Sequence, residues 1–172
     1  MKNIYISLFL MFTLQSVAIS QTISLDTKNA TVAFHFISEK TKGTLTGVKA
    51  NLTIDPSNLS FAKVLGSVDV TTLSTKNKMR DKHLKSDDFF NVEKYPKMTF
   101  QSSDIYQEGN KYKSKGILTV KGIQKEVTFD LKNTDSTLVF STTIYALDFD
   151  VSTKKKREKS KVYVEVTLPY NP

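Results

Sequence analysis

Apolar and polar residues alternate along most of this chain, and a period of two predicts half-buried β-strands rather than helices. Val32, Phe34 and Phe36 alternate with Thr31 and His35. Val48, Ala50, Leu52 and Ile54 follow, and Asp55-Pro56-Ser57 supplies a turn. Ala62, Val64, Gly66, Val68 and Val70 make the next stripe. Met98, Phe100 and Ser102 lead to a hairpin turn at Glu108-Gly109-Asn110; Tyr112, Ser114, Gly116, Leu118 and Val120 lead to a turn at Gly122. Val127, Phe129 and Leu131, then Leu138, Phe140, Thr142 and Ile144, then Val162, Val164, Val166 and Leu168 complete the set. Eight strands in succession predict an all-β domain, and an antiparallel barrel is favoured over a sandwich because closure protects long edges. The interior of such a barrel is just wide enough for its own side chains or one slender ligand. Inward positions such as Ala50, Ala62, Gly66, Ser102, Ser114, Gly116 and Thr142 are small. Small inward residues leave space for a ligand, and they also mark barrel bends; both readings stay open. If they mark space, Gly116→Leu or Ala62→Phe should fill the channel and leave the fold intact.

One stretch breaks the alternation. Thr75 to Phe100 is charged and helix-compatible, and it lies between the third and fourth expected strands as a lid or plug. Ser74 or Thr75 can cap a short helix that places Met79, His83 and Leu84 on one face. Ser86, Asp87 and Asp88 look like a second helix start. Phe89 and Phe90 should close one end of the barrel, and Tyr95-Pro96 forces an extended return into a strand. Arg80, Asp81 and His83 invite a catalytic reading, but a histidine needs a held nucleophile or metal partner. His35 and His83 show no local ligand spacing for zinc. Hydrogen bonds tying the insert to the barrel are the simpler role for Arg80 and Asp81. No catalytic residue, metal site or cofactor is expected.

Composition narrows the setting. Lys2, the apolar run Ile4 to Leu14 and the small residues before Gln21 read as a cleaved secretory signal over residues 1–20, too short to span a bilayer. Residues 21–172 then form one domain. The chain has no cysteine, so neither a lipid anchor at the cleavage point nor a disulfide framework is available. The expected location is periplasmic or secreted. The formal net charge of +8 is spread over many lysines, and there is no tryptophan. This suits solubility or weak attraction to an anionic membrane surface more than nucleic-acid binding. Lys154 to Lys159 is a basic cluster before the last strand, either a solvated hairpin loop or a contact for anionic headgroups.

The run Thr75-x-Asn77-x-x-Arg80-Asp81-x-His83-Leu84-x-Ser86-x-Asp88-Phe89-Phe90, followed by Tyr95-Pro96-x-Met98-x-Phe100-x-Ser102, resembles the central signature of the YceI-like family of exported lipid-binding proteins. Gly116-x-Leu118-Thr119-Val120-x-Gly122-Ile123-x-Lys125 resembles its second signature, and Gly43 to Pro56 its early Gly-rich strand pair. Tyr145 to Lys161 departs from the family, with Leu147-Asp148-Phe149-Asp150 and the basic loop in place of an aromatic-glycine motif. The resemblance implies a lipocalin-like barrel whose apolar channel holds a polyisoprenoid, such as a quinone, without catalysis. The wall residues it suggests are Phe34, Phe36, Val64, Val68, Phe100, Tyr112, Leu118, Phe129, Phe140 and Ile144, with Leu84, Phe89 and Phe90 at the mouth. Each also reads as plain core packing. A homodimer stays open. The competing expectations are a filled barrel acting through its basic surface in envelope stress or adhesion, and an enzyme centred on His83.

Overall fold

A computed structural model describes residues 21–22, 24–54, 63–134 and 136–171. The expected signal segment, the turn at Asp55-Pro56-Ser57 and Ala62 lie outside the described residues. The strands are β1 (Gln21–Thr22), β2 (Ser24–Leu25), β3 (Thr31–Phe36), β4 (Thr41–Leu45), β5 (Lys49–Ile54) and β6 (Lys63–Asp69). After the helix α1 (Lys78–Lys85) come β7 (Lys97–Glu108), β8 (Lys111–Val120), β9 (Ile123–Thr134), β10 (Thr137–Tyr145) and β11 (Lys161–Asn171). All pairings are antiparallel, in the order β1-β5-β6-β7-β8-β9-β10-β11-β3-β4, with β2 on β11.

The fold is the expected all-β barrel with a short helical insert, but it has eleven strand segments instead of eight. β1 and β2 are too short to show any alternation, and β4 (Thr-Lys-Gly-Thr-Leu) carries a single large apolar residue. Gly47, at φ +68°, lies between β4 and β5. Treating β1/β2 and β4/β5 each as one kinked strand gives nine. These kinked strands make the seam. The first steps from β5 to β11. The second pairs with β3, then Thr44 and Ser74 exchange backbone hydrogen bonds of 2.9 and 3.0 Å, and β5 continues on β6. Peptide groups that would be a bare edge are thereby paired.

The hairpins follow their turn residues. Gly109 has φ +60°, and Lys121 and Gly122 have φ +52° and +77°, the left-handed geometry that tight hairpins need. One end of the barrel is filled by Ala30, Ile105, Leu131 and Leu138, with Ser114 fully buried among them. At the other end Val120, Ala146, Phe149, Val151 and Val162 form a second buried cluster.

The insert differs from expectation in its caps. Asn77, not Ser74 or Thr75, caps α1 by accepting from the Arg80 N–H at 3.0 Å. Ser74 has its backbone in the seam, and the Thr75 side chain is engaged elsewhere. Residues 87–90 form turns rather than a second helix, because Ser86 instead ends α1, its N–H and hydroxyl both donating to the His83 carbonyl. Met79 does not share the inward face with His83 and Leu84; it is 84% exposed. No helix among the described residues is long and apolar enough to cross a membrane.

An apolar cavity beneath the helical insert

Alternation turns one stripe of each long strand inward, and where those stripes are not met by filling side chains a cavity of about 480 Å³ remains. Its walls take Phe34 and Phe36 from β3, Val64, Gly66 and Val68 from β6, and Met98 and Phe100 from β7. Leu118 of β8, Phe129 of β9, Phe140 and Ile144 of β10, and Val162, Val164, Val166 and Leu168 of β11 complete the ring with Leu45 of β4 and Ala50 of β5. Phe100 and Phe129 meet edge to face, with ring centroids 4.9 Å apart. Ile105, Ser114, Leu131 and Leu138 do not line the cavity, so the end they fill is its floor.

Polar groups gather at the opposite end. Arg80 and His83 of α1, Glu39 and Thr41 at the β3–β4 hairpin, and Ser152 to Lys154 surround the opening, and Leu84, Phe89 and Phe90 line it beneath the insert. His83 meets Phe89 edge-on at 4.8 Å and lies 3.7 Å from the Asp88 carboxylate. Lys154 pairs with Glu39 across the rim. The insert is held by Thr75, whose N–H donates to Asp81 Oδ1 at 2.8 Å and whose hydroxyl joins Asp81 to Arg80 Nε. Arg80 also donates to the Thr75 carbonyl at 3.2 Å. Thr75 is buried, so Asp81→Ala leaves its donors without an acceptor. The expected cost is about 1–2 kcal/mol in urea unfolding, with faster amide exchange over residues 75–90.

The loop after β10 is latched rather than freely solvated. Arg157 lies 3.5 Å over the Tyr145 ring and donates to both Asp148 carboxylate oxygens, at 2.8 and 2.6 Å. Those hydrogen bonds hold the Asp148 carboxyl below its ordinary value. A lowered carboxylate pKa contributes stability above the unfolded value and loses it as pH falls through the folded one. Amide protection over residues 148–160, relative to intrinsic exchange, should therefore stay flat from neutral pH down to about 4 and fall below it. Arg157→Ala should abolish that acid-dependent step.

The structure brings Phe34, Phe36, Val64, Val68, Leu84, Phe89, Phe90, Phe100, Leu118, Phe129, Phe140 and Ile144 onto one cavity. Tyr112 is not on it. It lies at the start of β8, six residues or about 20 Å along the strand from Leu118, and packs half-buried against the filled end. Gly116 does not line the cavity either, because it sits against the β7 backbone. The wall residues of β11 and the loop residues Val151 to Lys154 were not anticipated; the β11 stripe carried the same alternation as its neighbours, whereas the loop has no period to read. His35 alternates with the cavity residues Phe34 and Phe36 and so faces outward, which separates it from His83.

A domain model described as the YceI-like domain matches residues 24–171. Protein YceI of Escherichia coli O157:H7 is 37% identical over 90 residues, 52% of this chain and 47% of that protein. The match thus spans about half the length of the curated relatives. BcnA of Burkholderia cenocepacia superposes with a TM-score of 0.73 at 25% identity, covering 84% of this chain and 98% of that one. A polyisoprenoid binding domain from Saccharophagus degradans, implicated in plant cell wall breakdown, shares the fold with a TM-score of 0.57 at 12% identity, over 86% and 97% of the two chains. The domain match runs from β2 to the end of β11 and takes in the insert and both signatures, and on that extent this chain belongs to the YceI-like family.

Proposed function

We propose that the protein is a non-catalytic carrier for a long apolar lipid of the polyisoprenoid class, a quinone being one example, acting in the periplasm or outside the cell. The observation that carries this reading is the cavity: its volume of about 480 Å³ lies within the range of small-molecule sites, and its walls are predominantly aliphatic and aromatic. Burial alone supplies affinity. At roughly 0.8 kcal/mol per CH₂, each five-carbon unit contributes about 3–4 kcal/mol before the costs of association. The predominance of apolar side chains in the wall, broken on β6 and β7 by Ser67 and Thr99, suits a hydrocarbon chain, and the polar rim suits a headgroup left near water. The fold-sharing domain from Saccharophagus degradans is described as polyisoprenoid binding, which supports the ligand class. An open interior speaks against the filled-barrel alternative.

The test is extraction of the natively exported protein with organic solvent, followed by mass spectrometry. An apolar lipid near one per protein, fragmenting in isoprene steps, is the expected result. Protein that yields no lipid and takes up no dansyl-farnesol when challenged would overturn the reading.

A further inference from the structure

α1 turns two chemically different faces to its surroundings. Arg80, His83 and Leu84 line the cavity. At 100° per residue, Lys78, Lys82 and Lys85 project from the opposite side as a row at i, i+4 and i+7. None of the three makes an ion pair among the described residues, whereas Lys154, Arg157 and Lys161 at the same end each have an acidic partner. Beside that row Met79 is 84% exposed. Across the opening, the β3–β4 hairpin tip presents Ile37, 45% exposed, next to Lys40. The basic loop adds exposed Lys155, Lys156 and Lys159, again without ion-pair partners among the described residues. Cations thus predominate around the mouth of an apolar cavity, with Asp87 and Glu93 sharing the surface that Lys78, Lys82 and Lys85 line, and two apolar side chains protrude among them.

We propose that this end is a docking surface for an anionic phospholipid bilayer, with the outward row of α1 as its main contact and Met79 as its apolar insertion point. The inference rests on the carrier reading above and adds where the cargo is exchanged. Lysine is a compact point charge without the fork that grips a particular carboxylate, so a spread of lysines suits a diffuse headgroup layer better than one acidic protein site. A methionine at the interface can bury its thioether while neighbouring lysines stay in the headgroup region. Docking in this orientation sets the cavity mouth against the bilayer, so a hydrocarbon chain can pass between them with little exposure to water. Leu84, Phe89 and Phe90 then lie where the chain would enter.

The experiment is co-sedimentation of the full protein with vesicles of phosphatidylglycerol and phosphatidylethanolamine, and separately with phosphatidylcholine vesicles. The wild type should bind the anionic vesicles, release as salt is raised, and ignore the zwitterionic ones. Reversing the α1 row (K78E/K82E/K85E) should weaken binding by roughly a hundredfold or more, since each lysine near an anionic surface is worth about a factor of five or more. Met79→Gln should weaken it with every charge on the helix unchanged. Reversal at the filled end (K111E/K132E) should leave binding within about twofold of wild type, after scaling for the smaller charge change. Equal losses per charge at both ends, or no binding to anionic vesicles, would overturn the proposal. Dansyl-farnesol uptake is measured on the same proteins without vesicles. Uptake without vesicle binding refutes docking alone, whereas vesicle binding by a protein that takes up no probe refutes the carrier reading and leaves docking standing.

Discussion

Gly66→Leu should abolish lipid capacity while raising stability. Gly66 lines the cavity between Val64 and Val68, with extended backbone, and a β-carbon built on it meets only the Lys49 carbonyl oxygen, at an ordinary 3.9 Å. Its flanking partners are Ala50 on β5 and Phe100 on β7. A leucine there projects into open space rather than into a neighbour. It occupies the volume that a hydrocarbon chain would take, so extracted lipid should fall at least tenfold, a change of about 1.4 kcal/mol or more in binding. The same side chain gains burial, and it replaces a glycine that weakens a strand interior by about 0.5–1 kcal/mol. Thermal unfolding should therefore move up by a few degrees. Opposite signs in the two assays are the signature of a functional void. If Gly66→Leu still carries lipid at the wild-type level, the ligand lies elsewhere; if it unfolds the protein, the space beside Gly66 is not open.

How far the sequence could be read follows from what a period of two records. It records which face a residue takes, so the long strands and nine of the expected cavity residues were legible from their inward stripes. It does not record depth along a strand. Tyr112 and Leu118 sit on the same stripe of β8, yet one packs at the filled end and the other lines the cavity. Nor does alternation find strands that lack apolar residues. β4 has Gly43 where its stripe would put a side chain, because the Phe34 ring occupies that place: a β-carbon there would lie 2.3 Å from Phe34 Cζ and 2.8 Å from the Ser74 carbonyl oxygen. The position of the insert was legible from its charge. Its N-cap was not, since Ser74 and Thr75 are good capping residues recruited to the seam and to the Asp81–Arg80 clasp, contacts that only the folded chain creates. Phe89 and Phe90 were legible for a different reason: two adjacent phenylalanines in a charged segment need a place out of water, and the cavity mouth is the nearest one.

The expectation that Gly116→Leu would block the channel and spare the fold fails on the same ambiguity between space and contact. Gly116 pairs with Ser102 beside the register shift between Ser102 and Asp104 on β7. The Ser102 hydroxyl leaves the usual pattern there and accepts from the Val64 N–H at 2.8 Å. The bulge presses β7 onto β8, so a β-carbon at position 116 would lie 2.2 Å from the Gln101 carbonyl oxygen and 2.7 Å from Ser102 Cα. Both atoms are backbone, and neither can rotate away. Even Gly116→Ala must part β7 from β8 in the middle of the sheet, at a cost of about 3 kcal/mol or more. The urea midpoint should fall accordingly, and soluble yield should drop with it, while Gly66→Ala is neutral or stabilising. Lipid loss in a Gly116 variant would then report unfolding, not occlusion. A Gly116→Ala protein as stable as wild type would mean that β7 carries no bulge at this point, and that the small inward residue marks space after all.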